Sequence, residues 1–95
     1  MILFPDRYPK IDLHGADRDY ARIKINEFIY DNYRQKNEKI VVIHGNGNGI
    51  IKKVTQETLK RNKYVLDYEI YNFNAGMTVV TLKKKSWQMK NVVVE

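Results

Sequence analysis

Along this chain the spacing of apolar residues switches repeatedly between a period of two and a period near 3.6, and each switch marks an element. Ile11-Asp12-Leu13-His14 alternates, which sends Ile11 and Leu13 inward and Asp12 and His14 outward on a strand that Gly15 ends. From Asp17 the period becomes helical. Ala21, Ile25, Phe28, Ile29 and Asn32 or Tyr33 share one face, with Arg18, Arg22, Lys24 and Asp31 outside it. Asp17 suits an N-cap, Asp19 suits the positive first turn, and Lys36-Asn37 marks the stop. Lys39 to His44 is a β-branched run that is apolar on both faces, the pattern of a central strand.

A second helix follows the glycines. Ile51, Thr55 and Leu59 recur at i, i+4, i+8 with Ile50, Val54 and Thr58 beside them, and Lys52, Lys53, Lys60 and Arg61 point outward. Val65 to Asn72 alternates again, placing Leu66, Tyr68 and Ile70 on one face, and Met77 to Lys83 is a further β-branched run. Phe73-Asn74-Ala75-Gly76 between them reads as a hairpin turn. The predicted order is βαβαββ, a mixed sheet covered by two helices. Residues 1–9, with Pro5 and Pro9, form an extended arm, 10–85 the domain, and 86–95 a tail in which Val92-Val93-Val94 adds a strand, contacts a partner or frays.

Composition narrows the class. Ninety-five residues suit a single core, and 43% hydrophobic with 29% charged residues is the balance of a globular fold. Without cysteine there is neither a disulfide nor a thiolate metal site. Pro5 and nearby charges interrupt the apolar N-terminus before a signal core or membrane span develops, so a cytoplasmic monomer with no membrane association is expected. A net charge of +6 favours an anionic partner such as nucleic acid.

The two histidines both end strands, in DLHG and IHGNGNG. Parallel strands joined by a helical crossover end on one edge of the sheet, where α/β folds place ligands. His14 and His44 are therefore expected on one rim, with Asp12 two residues behind His14 and the second helix aiming its first N–H groups at them. The glycine loop fits neither a dinucleotide fingerprint, since the sixth position from Gly45 is Ile50, nor a P-loop, since Gly-Lys-Ser/Thr is absent. It reads either as a phosphate-approaching loop or as a tight turn.

IDLHG at 11–15, IHGNGNG at 43–49 and AGMTVVTLK at 75–83, in this order around two helices, closely resemble the Small MutS-Related (Smr) domain. The resemblance spans about Lys10 to Lys83. It implies a two-layer α+β sandwich similar to the C-terminal domain of translation initiation factor three, with strand order 1-2-4-3 and strand 4 antiparallel. Smr domains occur at the C-terminus of MutS-like proteins and as free-standing proteins, and a chain beginning at Met1 with no ATPase portion resembles the free-standing type. Several nick DNA or cleave RNA; others serve ribosome-associated or mRNA quality control. The family's Leu-Asp-Leu-His corresponds to Ile11, Asp12, Leu13 and His14, and its His-Gly-x-Gly to His44, Gly45, Asn46 and Gly47. The third motif usually opens with paired glycines, where this chain has Asn74 and Ala75 before Gly76.

The expected activity is that of a phosphodiester endonuclease, favouring RNA over DNA, with Asp12, His14 and His44 as its catalytic residues. Gly15, Gly45, Asn46, Gly47, Asn48, Gly49, Lys52, Lys53, Gly76 and Lys83 form the expected phosphate-holding set. RNA supplies its own 2′-hydroxyl nucleophile; DNA needs an activated water and with it Mg2+ or Mn2+, for which Asp12 and His14 are the available ligands. The alternative is a non-catalytic RNA- or ribosome-binding module. In the structural reading of the same residues, His14 caps a turn, His44 satisfies a backbone carbonyl, and the lysines form a solvated face.

Overall fold

The computed structural model describes residues 7–47, 49–71 and 76–84. Residues 1–6 of the arm, Asn48, residues 72–75 with most of the hairpin turn, Lys85 and the 86–95 tail lie outside the described residues. Four strands and two helices follow in the order β1 (Lys10–Asp12), α1 (Arg18–Arg34), β2 (Lys39–Ile43), α2 (Ile50–Arg61), β3 (Val65–Ile70) and β4 (Met77–Leu82). The sheet order is β1-β2-β4-β3, with β1 parallel to β2 and β4 antiparallel to both β2 and β3.

Local chemistry sets the helix ends. Asp17 is extended, and its carboxylate accepts from the Tyr20 N–H at 3.0 Å, satisfying a first-turn amide. At the other end the Asn37 N–H reaches the Asn32 carbonyl and the Lys36 N–H reaches the Tyr33 carbonyl, the Schellman pattern. Lys36 holds the left-handed position there at φ 66°, a place where glycine is usual. Asn32, buried in this last turn, donates to the Phe28 carbonyl at 2.8 Å and accepts from Asn37 at 2.7 Å.

Ala21, Ile25, Ile29 and Tyr33 from α1 and Ile51, Val54 and Leu59 from α2 close over Leu13, Ile40, Val42, Val80 and Leu82. The apolar character of β2 on both faces also appears in the structure. Val41 and Val79 face each other across β2 and β4 on the side away from this cluster, and both are buried.

The structure corrects the predicted packing at two residues. Leu66, which the alternation places on one face with Tyr68 and Ile70, is 65% exposed, because the pairing of β3 with β4 slips between Val65 and Asp67. Such a bulge adds one residue to the strand and inverts the faces before it, so Val65 packs on the core in place of Leu66. Ile50, expected beside the α2 core positions, is exposed as the first residue of its helix.

Candidate active site at the His-Gly rim

The parallel pairing of β1 and β2 brings their C-terminal ends together. Asp12 lies opposite Ile43, and the Leu13 N–H donates to the Ile43 carbonyl at 2.7 Å. The chain then turns sharply, with the Ala16 N–H donating to the Leu13 carbonyl at 3.0 Å and Gly15 at φ 79°. A positive φ at the third residue of a turn is what a type II turn requires, and it explains the glycine after His14. The turn carries His14 outward.

Asp12 and His14 form the exposed pair of the site. One carboxylate oxygen of Asp12 accepts from His14 Nδ1 at 2.6 Å and from the His14 backbone N–H at 3.2 Å. The two side chains are 53% and 70% exposed. The ring hydrogen bond to His14 is the main reason that the Asp12 carboxyl is held below its ordinary range, and the same bond holds His14 above the ordinary histidine value. With Nδ1 committed to the carboxylate, Nε2 is the nitrogen left to work.

His44 occupies the same end of the sheet but not the same surface. It is only 4% exposed, so although both histidines line the rim, only His14 presents its ring to solvent. Nδ1 lies 3.1 Å from the Gly45 carbonyl, an acceptor only, and therefore carries the proton. Nε2 is then the acceptor of the Thr78 hydroxyl at 2.9 Å. Burial, ahead of every other cause, lowers the pKa of His44, and the Lys52 charge works in the same direction against the Gly45 hydrogen bond. His44 is a neutral ring that ties the end of β2 to the start of β4.

The glycine after His44 has two steric reasons. Gly45 has φ 80°, and a Cβ at this position would stand 3.0 Å from the Cβ of His14. The N–H groups of His44 and Gly45 both donate to the Gly76 carbonyl, at 2.8 and 2.9 Å. Gly76 is thereby held at the site through its carbonyl.

Around these residues opens a cleft of about 710 Å³. His14, Gly15, His44, Gly45, Asn46, Gly47, Gly49 and Gly76 line it, so the structure brings this part of the predicted set together. Gly49 begins α2 in the left-handed conformation and offers no side-chain cap, and the helical bonding starts from the Lys53 N–H to the Gly49 carbonyl. The first-turn amides of α2 have no acceptor within their own helix.

Lys52 and Lys53 follow in that first turn but do not line the cleft. Lys83 is elsewhere. β4 runs antiparallel to β2, so Lys83 follows Leu82 at the other end of the sheet, about 20 Å along the strand from Met77. The expectation of Lys83 at this site is corrected by the strand direction. Sequence reasoning missed Arg18, which lines the cleft, and Thr78, the partner of His44. The position of Arg18, four residues after His14 at a helix start, was the available signal; nothing marks Thr78 within its β-branched run.

The donors for a divalent ion are few. No group of three or more His, Asp or Glu side chains capable of holding a metal occurs among the described residues, and Asp12 and His14 are already bonded to each other. No helix among the described residues is long and apolar enough to cross a membrane.

A two-layer α+β fold with sheet order 1-2-4-3, carrying an Asp-x-His turn against a His-Gly-x-Gly loop, defines a class of small domain. The profile of the Smr domain family matches residues 11–83, and the chain belongs to that family. Endonuclease MutS2 of Clostridium botulinum is 31% identical over 77 residues, covering 78% of this chain and 10% of the relative. The protein of the same name from Clostridium acetobutylicum is 35% identical over 72 residues, covering 76% and 9%. The chain thus spans about a tenth of the length of the curated relatives that it matches.

Two solved structures share the fold. The Smr domain of Thermus thermophilus MutS2 superposes with a TM-score of 0.75 at 23% identity, over 79% of this chain and 98% of that one. YdaL, a stand-alone small MutS-related protein from Escherichia coli, gives 0.74 at 20% identity, over 81% and 68%.

Proposed function

We propose that this domain is an endonuclease that cleaves RNA by attack of the 2′-hydroxyl on the adjacent phosphate, with His14 as general acid. The observation that carries this reading is the 2.6 Å Asp12–His14 pair, exposed at the mouth of a cleft lined by loop backbone and Arg18. Relatives named endonucleases support the reaction class.

Asp12 fixes the Nδ1–H tautomer of His14 and keeps the ring protonated to higher pH than usual. In this mechanism solvent hydroxide removes the 2′-hydroxyl proton, the 2′-oxygen bonds to phosphorus, and the bond to the 5′-oxygen breaks. His14 Nε2–H gives its proton to that leaving oxygen, and the products are a 2′,3′-cyclic phosphate and a 5′-hydroxyl. General acid catalysis of this kind contributes about 10²–10⁴-fold. Arg18 and the amides around Gly47 and Gly49 hold the phosphate. His44 acts as a positioning residue that holds Gly45 against His14. DNA has no 2′-hydroxyl, so nicking it would need a water nucleophile activated by Mg2+ or Mn2+, for which Asp12 and His14 would have to give up their mutual bond.

The test is cleavage of end-labelled single-stranded RNA, structured RNA and duplex DNA, in magnesium, manganese or EDTA, by wild type, Asp12→Ala and His14→Ala. Loss of RNA cleavage in both folded variants, with activity in EDTA and cyclic phosphate ends in the wild type, is the expected result. Absence of cleavage by wild type would leave the other reading, an RNA- or ribosome-binding module. The exposed ring of Tyr20, under the Lys24 cation, favours that reading as a stacking platform.

A further inference from the structure

Arg18 lines two clefts. Besides the rim pocket it borders a second one, of about 340 Å³, running between α1 and α2. The two helices lie side by side here, and the second cleft follows α1 from Arg18 to Asn26, about 12 Å. Asn62 closes the far end by donating to Asn26 at 2.9 Å.

Three arginines line this cleft, Arg18, Arg22 and Arg61. Arg22 is paired with Asp19 at 3.0 Å, whereas neither Arg18 nor Arg61 is in an ion pair among the described residues. Arginine presents a planar fork that matches phosphate, and a row of such forks leading away from the rim follows an anionic polymer better than an isolated anion. Thr58 also lines it, and two carboxylates oppose an anion there: Asp19, which is paired with Arg22, and Glu57.

We propose that the α1–α2 cleft is a second phosphate site, which takes the backbone of the same nucleic acid strand beyond the bond held at the rim. This deepens the nucleic-acid reading above and rests on it. Arg18 links the two sites, and Arg22 and Arg61 extend the track across the helical layer.

The test is binding, read without cleavage. A fluorescent 12-nucleotide 2′-O-methyl RNA, which lacks the nucleophile, is titrated with the protein between 50 and 200 mM KCl by anisotropy. The double variant Arg22→Ala/Arg61→Ala is compared with Arg34→Ala/Lys84→Ala, which removes the same charge from the far end of α1 and the opposite end of the sheet. All four positions are exposed, and circular dichroism checks the folding.

Losing two phosphate contacts should reduce the slope of log K against log salt by about 1.4, since each contact on a single strand contributes about 0.7. The Arg34/Lys84 control should change it by less than half as much, and Glu57→Gln should tighten binding about twofold to fivefold. Equal losses in both double variants, or weaker binding in Glu57→Gln, would overturn the assignment in favour of bulk charge. Equally tight binding of poly-glutamate would overturn phosphate as the ligand. The outcome is independent of the cleavage reading: a wild type that binds but never cuts removes His14 from catalysis and leaves the cleft standing. A wild type that cuts while the Arg22/Arg61 slope is unchanged removes only the cleft.

Discussion

Replacing His44 by alanine tests whether this residue is a structural tie. The imidazole is buried, and its removal strands the Thr78 hydroxyl, which is fully enclosed, while the Gly45 carbonyl stays partly accessible to water. A buried hydroxyl without a partner costs about 1–3 kcal/mol, and the space vacated by the ring adds about 1–2 kcal/mol. His44→Ala should therefore lose about 2–5 kcal/mol from a total on the order of 5–14 kcal/mol for 95 residues. Thr78→Val, which keeps the shape and deletes the hydroxyl, should lose about 1–2 kcal/mol.

The two losses should not add, because each variant breaks the same bond, and the coupling should be about 1 kcal/mol. Urea unfolding followed by far-ultraviolet circular dichroism measures all three variants. The sign with pH follows from the lowered pKa of His44: the neutral ring contributes stability fully above the ordinary value near 6.5, and loses it as pH falls through the lower folded value. The gap between wild type and His44→Ala should then narrow in acid. Additive losses, or a His44→Ala cost under 1 kcal/mol, would refute the assignment of His44 as a tie between β2 and β4.

Asp12→Asn should bring the His14 pKa back down towards the ordinary histidine value, and the alkaline limb of the cleavage rate should move to lower pH with it; NMR titration of the His14 ring protons measures the shift. For His14 itself the sign is opposite to that of His44: its contribution to stability is full below about 6.5 and lost as pH rises through the raised folded value, and salt should weaken it because the pair is exposed. Gly45→Ala should cost about 1–2 kcal/mol for its left-handed backbone, measured by urea unfolding, and should reduce cleavage more than stability, since the new methyl meets His14. Lys36→Gly should stabilise the domain by about 1 kcal/mol, measured by the same urea titration, because the αL position at the end of α1 then carries no Cβ.

What could be read from the sequence was whatever depends on neighbours in the chain. The alternation of Ile11, Asp12, Leu13 and His14 determined which pair faces outward, the cap at Asp17 and the i, i+4, i+8 row of Ile51, Thr55 and Leu59 determined the helices, and the family resemblance extended these to the sheet order. Tertiary structure decided what depends on distant segments. Strand direction carried Lys83 to the far end of the sheet, a bulge turned Leu66 outward, and Thr78, 34 residues from His44, made that histidine an internal tie. The same outward-or-inward period was present for both histidines. The difference is that His14 meets a carboxylate two residues away in an exposed turn, whereas His44 ends a strand flanked on both sides by β1 and β4, where an unpaired polar ring would be costly and a distant hydroxyl satisfies it.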